Sequence, residues 1–270
     1  MNVGLLHKAL RESAFVVALF ALGLFAFHAL LTILLPTIFD DFAGQLLNSD
    51  FFRNIVRGLL GPMGDQMGPE VLVALPWVHP VILALIWGHE IAFCTRMPAA
   101  EVDRGTADLL FALPVSRWRI LTTETAVWLG TGLLLVAAEL IGHRLGQAIR
   151  PSQVAPSGER LAAVCANQLC LYLAVGGIAY LVSACSERRG RAVGVLFALV
   201  LVTFLWHMLG PFWPPAQDLR FLALLNYYRP HEILRSEGWP LGDMAALAGV
   251  GVVAWGLAGV VLARRDLRTV

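Results

Sequence analysis

A chain of 270 residues with 58% hydrophobic and only 14% charged side chains is too apolar for a water-soluble domain, in which about a quarter of residues carry charge. A mean hydropathy of +0.70 and long uncharged runs place it among polytopic membrane proteins. The net charge of +1 says little about partners, but the only lysine, Lys8, precedes Ala9 and follows no glycine-rich turn, which excludes a P-loop that must reach nucleotide phosphates.

Residues 1–12 form a basic lead-in, with His7, Lys8 and Arg11 among Val3, Leu5, Leu6, Ala9 and Leu10. Two readings stand for it: an amphipathic helix on the inner leaflet, or a plain positive-inside anchor. The first span is predicted over 13–35 with Pro36 as its stop; its apolar run exceeds the roughly 7–15 residues of a cleaved secretory signal. In the following segment, 36–70, Phe39, Phe42, Leu46 and Leu47 recur at near-helical spacing and suggest an interfacial helix. Gly61, Pro62, Gly64, Gly68 and Pro69 then break the pattern. The second span, 71–94, carries Pro76 and Pro80, which remove backbone donors and predict a kink.

Residues 98–117 are a charged link between two apolar runs. Between Pro98 and Pro114 the spacing places Val102, Leu109, Leu110 and Leu113 on one face of a helix, with Glu101, Asp103, Arg104 and Asp108 on the others. This predicts a short helix lying under the bilayer, its leucines toward lipid, with Trp118 anchoring the next span. Three more spans follow at 120–142, 161–183 and 192–210, the last closed by Pro211, and a sixth at 241–263. The intervening segment 211–240 is rich in headgroup-seeking aromatics, Phe212, Trp213, Tyr227, Tyr228 and Trp239, and either dips into the outer leaflet or rests on it.

The predicted fold is therefore a single all-α polytopic membrane domain of six transmembrane helices, with a cytoplasmic amphipathic helix between the second and third. Twelve of the 20 basic residues fall in the shorter set of loops, the one that includes both termini, which predicts both termini in the cytoplasm. No trace of the first three spans recurs in the last three, as an inverted-repeat transporter often shows.

Polar groups inside spans are costly and mark either a pathway or interhelical hydrogen bonds. Here they are His28 in the first span, Glu139 and His143 on one face of the third, Asn167 and Gln168 in the fourth and His207 in the fifth. Glu90 and Glu124 lie near the inner span ends, where solvation is expected. Gly190, Gly194 and Ala198 make a ladder of small residues in the fifth span, and Ala254 and Ala258 make one in the sixth; such ladders serve contacts either between protomers or within one. Cys94, Cys165, Cys170 and Cys185 form no C-x-x-C pair and read as apolar packing residues, with no metal site. His89-Glu90 begins an H-E-x-x-H zinc motif, but Phe93 stands where its second histidine belongs, which argues against an intramembrane protease.

The run Glu101-x-x-Arg104-Gly105-Thr106-x-Asp108-Leu109-Leu110-x-x-Leu113-Pro114-Val115-Ser116-Arg117 closely resembles the segment between the second and third spans of type-2 ABC transporter permeases. The closing Ala263-Arg264-Arg265-Asp266-Leu267 is similar to the tail of that class, and 225–234, with Tyr228-x-Pro230, sits where the class carries its connection to the last span. The resemblance implies a coupling helix that docks on a separate nucleotide-binding ATPase subunit through Glu101, Arg104, Gly105, Thr106, Asp108, Leu113, Pro114, Val115, Ser116 and Arg117. ATP and Mg would then belong to that partner, with no cofactor in this chain. It further implies a homo- or heterodimer of permease protomers in the cell inner or plasma membrane, with Gly190, Gly194 and Ala198 of the fifth span near its centre, and export by alternating access. The basic loop 186–191 would touch the ATPase or anionic lipid headgroups, or serve only to set topology; no nucleic-acid partner is implied. The rival readings are an ATP-independent transporter or channel and a membrane assembly protein, neither of which needs a docking helix.

Overall fold

The structure, a computed structural model, describes residues 3–47, 49–60, 69–112, 114–151, 155–235 and 238–265. Those residues are helical with no strand among them. In chain order the helices are α1 (Val3–Leu47), α2 (Asp50–Leu60), α3 (Pro69–Val78), α4 (Pro80–Cys94), α5 (Glu101–Asp103), α6 (Ala107–Phe111), α7 (Arg117–Ile149), α8 (Gly158–Cys185), α9 (Arg189–Leu209), α10 (Pro214–Asp218), α11 (Pro230–Arg235) and α12 (Leu241–Arg264). Six stretches are long and apolar enough to cross a bilayer: Val3–Ile38, Val71–Cys94, Arg117–Ile149, Gly158–Cys185, Arg189–Leu209 and Leu241–Arg264.

The spans fall where hydropathy places them, and the second has the predicted bounds. Its kink is a break at His79, whose ring accepts from the Val81 amide at 3.3 Å and caps α4. Pro36, in contrast, does not stop the first helix, which continues to Leu47. In an apolar medium a released backbone group finds no water, so breaking the helix costs more than tolerating one proline inside it. Phe39, Phe42, Leu46 and Leu47 accordingly extend α1, and the separate helix of this segment is α2. Gly61, Pro62, Gly64 and Gly68 lie outside the described residues, as do Leu113 and Asp266 to Leu267.

Helix α8 is the axis of the bundle: 67% of its apolar stretch is buried, against 17% for α9. It runs along α12, while α1 runs along α7. Both pairs cross at glycine. A Cβ on Gly177 of α8 would strike the Gly251 carbonyl of α12, and one on Gly251 would strike the Leu173 carbonyl. On α7, a Cβ at Gly142 would strike the Phe25 carbonyl of α1, and the ladder continues at Gly146 against Thr32. Membrane helices gain no hydrophobic drive from leaving lipid, so close backbone packing of this kind is what holds them. Between α7 and α8 the Trp128 and Tyr172 rings stack at 5.0 Å and 17°, and the Tyr172 hydroxyl donates to the Trp128 carbonyl at 3.1 Å.

The segment after α9 folds back over the bundle. Leu225, Ile233 and Leu234 are buried in it, and the Tyr228 hydroxyl donates to the Trp77 carbonyl at 3.1 Å. Trp213 and Trp239 stay exposed. Replacing Gly251 with Leu is expected to destabilise the protein by roughly 1–3 kcal/mol through overpacking against backbone. Gly256→Leu, where a Cβ meets nothing within 4 Å, is expected to leave the melting temperature of the solubilised protein unchanged.

Candidate functional site

One face of the bundle collects the N-terminal ends of α1, α7 and α9 and the C-terminal ends of α4, α8 and α12, so the two chain ends described lie on the same side. A helix C-terminus presents carbonyls with no partner inside the helix and the negative end of its dipole. Arginines answer all three. Arg189 donates to the Ala92 carbonyl of α4 at 3.1 Å. Arg265 donates to the Ala184 carbonyl of α8 at 2.7 Å and to that of Ser186 at 3.1 Å. Arg117 donates to the Leu262 carbonyl of α12 at 2.8 Å and to the carbonyl of Arg265. The Arg117 and Arg265 positions of the two sequence motifs are thus joined in space.

The link between the second and third spans sits on this face as an elbow. It opens with a kinked segment, Arg96–Ala100, in which Met97 is extended and its bond to Pro98 is cis, then α5, a turn at 104–106, and α6. The expected continuous helix is broken at Gly105, whose φ of +70° belongs to the left-handed region where glycine pays no Cβ penalty. The break separates the predicted apolar stripe: Val102 is buried, whereas Leu109 is 74% exposed. Val102 and Leu109 therefore do not share one face, and the side chains of Leu110 and Leu113 lie outside those described.

The motif residues divide by direction. Glu101 is 4% exposed and accepts from Lys8 at 2.8 Å, from Arg104 at 2.9 Å and from the Thr106 hydroxyl. Burial pushes its carboxyl up, but the Lys8 and Thr106 hydrogen bonds and the Lys8 and Arg104 charges outweigh that and hold it below its ordinary value. Ser116 caps α7 by accepting from the Arg119 amide at 3.2 Å, Arg117 turns inward to α12, and Val115 packs on the core. Arg104, Gly105, Asp108 and Pro114 are exposed. The outward rim is thus 104–109, on a base of inward-bonded residues.

Arg96 secures that base. Its guanidinium pairs with Glu124 of α7, donates to the Ala9 carbonyl of α1 at 2.9 Å, and lies 4.6 Å over the Phe93 ring. Glu124 is therefore engaged rather than solvated, and Glu90 is fully buried; both depart from expectation because neighbouring helices close over the span ends. Nothing local in the sequence signals the Arg96–Glu124 or Lys8–Glu101 pairs, whose members lie 28 and 93 residues apart.

Farther into the bundle, four of the five candidate pathway residues gather between α1, α3, α7 and α8. His28 meets Trp77 at 4.5 Å and His143 at 5.5 Å between ring centroids. Gln168 donates to Glu139 at 2.7 Å, and Asn167 donates to the Tyr227 carbonyl at 3.1 Å. All five of these polar side chains are buried, yet both His28 nitrogens, Glu139 Oε1, Gln168 Oε1 and Asn167 Oδ1 have no hydrogen-bond partner among the described residues. His207 stands apart, 3.4 Å from the Leu59 carbonyl of α2.

On α9, Gly190, Gly194 and Ala198 all lie on the exposed side, and a Cβ at Gly190 or Gly194 would meet nothing within 4 Å. The outer side of this stripe is open in the protomer, whereas Ala254 and Ala258 are buried inside it. Beside this stripe a groove of about 330 Å³ opens between α4 and α9, walled by Pro80, Trp87, Ile91, Phe197, Leu201 and Phe204.

Compared with known proteins, residues 8–267 match a family model described as ABC-2 family transporter protein. No curated protein and no solved structure matches the chain.

Because the Glu101 carboxyl is held low, its contribution to stability is complete above the ordinary carboxylate value and is lost as pH falls through the lowered one. Glu101→Gln is expected to reduce stability at neutral pH by on the order of 1–3 kcal/mol of lost charge-assisted bonding, read as a lower melting temperature. The gap from the unsubstituted protein should close well below about pH 4.

Proposed function

Since the chain belongs to the ABC-2 family of transporter proteins, we propose that it is the membrane half of an ATP-driven exporter that receives force at its elbow. It is an integral membrane permease subunit, and proteins of this family generally work with a nucleotide-binding ATPase subunit. In the proposed reading the basic face is cytoplasmic and the separate ATPase docks on the rim formed by Arg104, Gly105, Asp108 and Leu109. ATP and Mg bind on that partner.

One observation carries this reading: Leu109 is a large apolar side chain, 74% exposed, on a charged turn whose base is held by partly buried ion pairs. An exposed leucine beside Arg104 and Asp108 on a rigid support suits a protein partner better than it suits lipid. The placement of the basic residues supports the orientation.

A second protomer, identical or not, is proposed to pack on the exposed stripe of Gly190, Gly194 and Ala198, which permits close helix approach. The apolar groove of each protomer would then border a central passage. Alternating access would proceed by rigid-body rocking, since closely packed helices switch between arrangements rather than deform continuously. The buried cluster of His28, Glu139, His143 and Asn167, with its unpartnered atoms, is proposed to lie along the route, because each buried unsatisfied polar atom costs about 1–3 kcal/mol and persists where function needs it. His207, bonded to α2, would line its outer mouth.

The test alters only the rim. Asp108→Arg combined with Leu109→Asp is expected to abolish copurification of the ATPase subunit while the permease keeps its membrane level and melting temperature. Undiminished copurification would overturn the docking assignment. Impermeant thiol labelling of Leu109→Cys decides the orientation independently: the reading requires reaction from the cytoplasmic side alone.

A further inference from the structure

We propose that Glu101 is a positioning residue rather than a docking residue, and that with Lys8 and Arg96 it forms a two-point ionic lock fastening the elbow to the first transmembrane helix. This inference rests on the reading of the elbow as the place where force arrives.

The geometry of Glu101 is that of an internal tie. Its side chain is 5% exposed, and Lys8 Nζ lies 2.8 Å from Oε1. Arg104 shares the same oxygen, while the Thr106 hydroxyl donates to the other. Both oxygens are thus bonded within the chain, and neither is presented to an approaching protein. The second point of the lock is Arg96, five residues earlier. It donates to the Ala9 carbonyl at 2.9 Å, stands 3.7 Å from Glu12, and pairs with Glu124 of α7. Lys8, Ala9 and Glu12 occupy little more than one turn of α1, so both ends of the 96–101 segment are fastened to the same small patch of that helix.

Gly105, in a left-handed turn, lies on the rim side of both fastenings. With 96–101 pinned to α1, load that passes this turn reaches α1 rather than being taken up by movement of 96–101. Because α1 crosses α7 at Gly142 and Gly146, the motion passes along the pair that holds His28 and His143. The N-terminal segment thereby acquires a role beyond the membrane anchor or surface helix that its composition suggests: it is the inner end of a strut.

The experiment measures the lock directly. Spin labels are placed at Arg11→Cys and Asp103→Cys, both exposed positions, in the full chain with its four native cysteines replaced. The interlabel distance is recorded in lipid nanodiscs, with and without the ATPase subunit and a non-hydrolysable ATP analogue. The unsubstituted ion pair is expected to give one narrow distance that persists with nucleotide. Lys8→Glu alone and Glu101→Lys alone are expected to lose the narrow peak, and the two together to regain it. Lys8→Glu leaves the rim and its Arg104–Glu101 pair in place and should still copurify with the ATPase. Persistence of the narrow peak in both single reversals overturns the lock, as does failure of the double reversal to restore it in a protein that still melts cooperatively. Should a reversal prevent folding, Lys8→Met and Glu101→Gln provide the same readout without a reversed charge. Failure of the unsubstituted permease to bind the ATPase would count against the docking reading, while the distances in the permease alone still decide the lock.

Discussion

Arginine donating to the carbonyl end of a neighbouring helix is the contact on which the basic face depends. Three membrane spans, α4, α8 and α12, finish there with backbone oxygens that helix geometry leaves unpaired. In each case the donor comes from another element: Arg189 from the start of α9, Arg265 from the end of α12, Arg117 from the start of α7. Each bond therefore satisfies a helix terminus and joins two spans at once. A guanidinium suits these sites because it remains charged in partly buried surroundings and carries several donors, two of which Arg117 and Arg265 each spend on a pair of carbonyls. This gives physical content to the near-complete preference for arginine over lysine in the chain.

The interior is held differently. Shape does the work where charge is scarce: Gly177 and Gly251 bring α8 and α12 together backbone to backbone, and Gly142 does the same for α7 and α1. These contacts surround a polar cluster that is tightly enclosed but incompletely hydrogen-bonded. Two regimes thus share the molecule, an ion-laced face where the helices end and a glycine-packed interior where they cross. The rim at 104–109 belongs to the first and the cluster around His28 to the second, with α1 running through both.

How much of this was legible in the sequence varied with the range of the interaction. The six spans follow from hydropathy, a property of consecutive residues, and the break near Pro80 follows from the missing amide of proline. Pro36 misled, because the rule that proline ends helices presumes water to take up the freed groups. The apolar spacing at 102–113 misled in another way: periodicity counts residues as if the backbone were regular, and Gly105 makes it irregular. The motif located the elbow correctly but did not reveal that Glu101 and Arg117 point inward while Arg104 and Asp108 point outward. The Gly142-x-x-x-Gly146 ladder was in plain view as a small-residue pattern, yet only the three-dimensional crossing shows which ladders are occupied within the chain and which, as on α9, are left open. Pairs such as Lys8 with Glu101 were beyond reach, since no local pattern ties residues so far apart.

The cap on α8 also orders events in time. Ala184 receives its arginine from a position 81 residues later in the chain, and Arg117 must wait 145 residues for Leu262. During synthesis the first four spans are made well before those donors and acceptors emerge from the ribosome. Until then the end of α8 and the Arg117 side chain must bond other groups, such as water or lipid headgroups. Closing the α8 cap therefore requires residue 265, and a nascent chain stalled before it would lack that fastening.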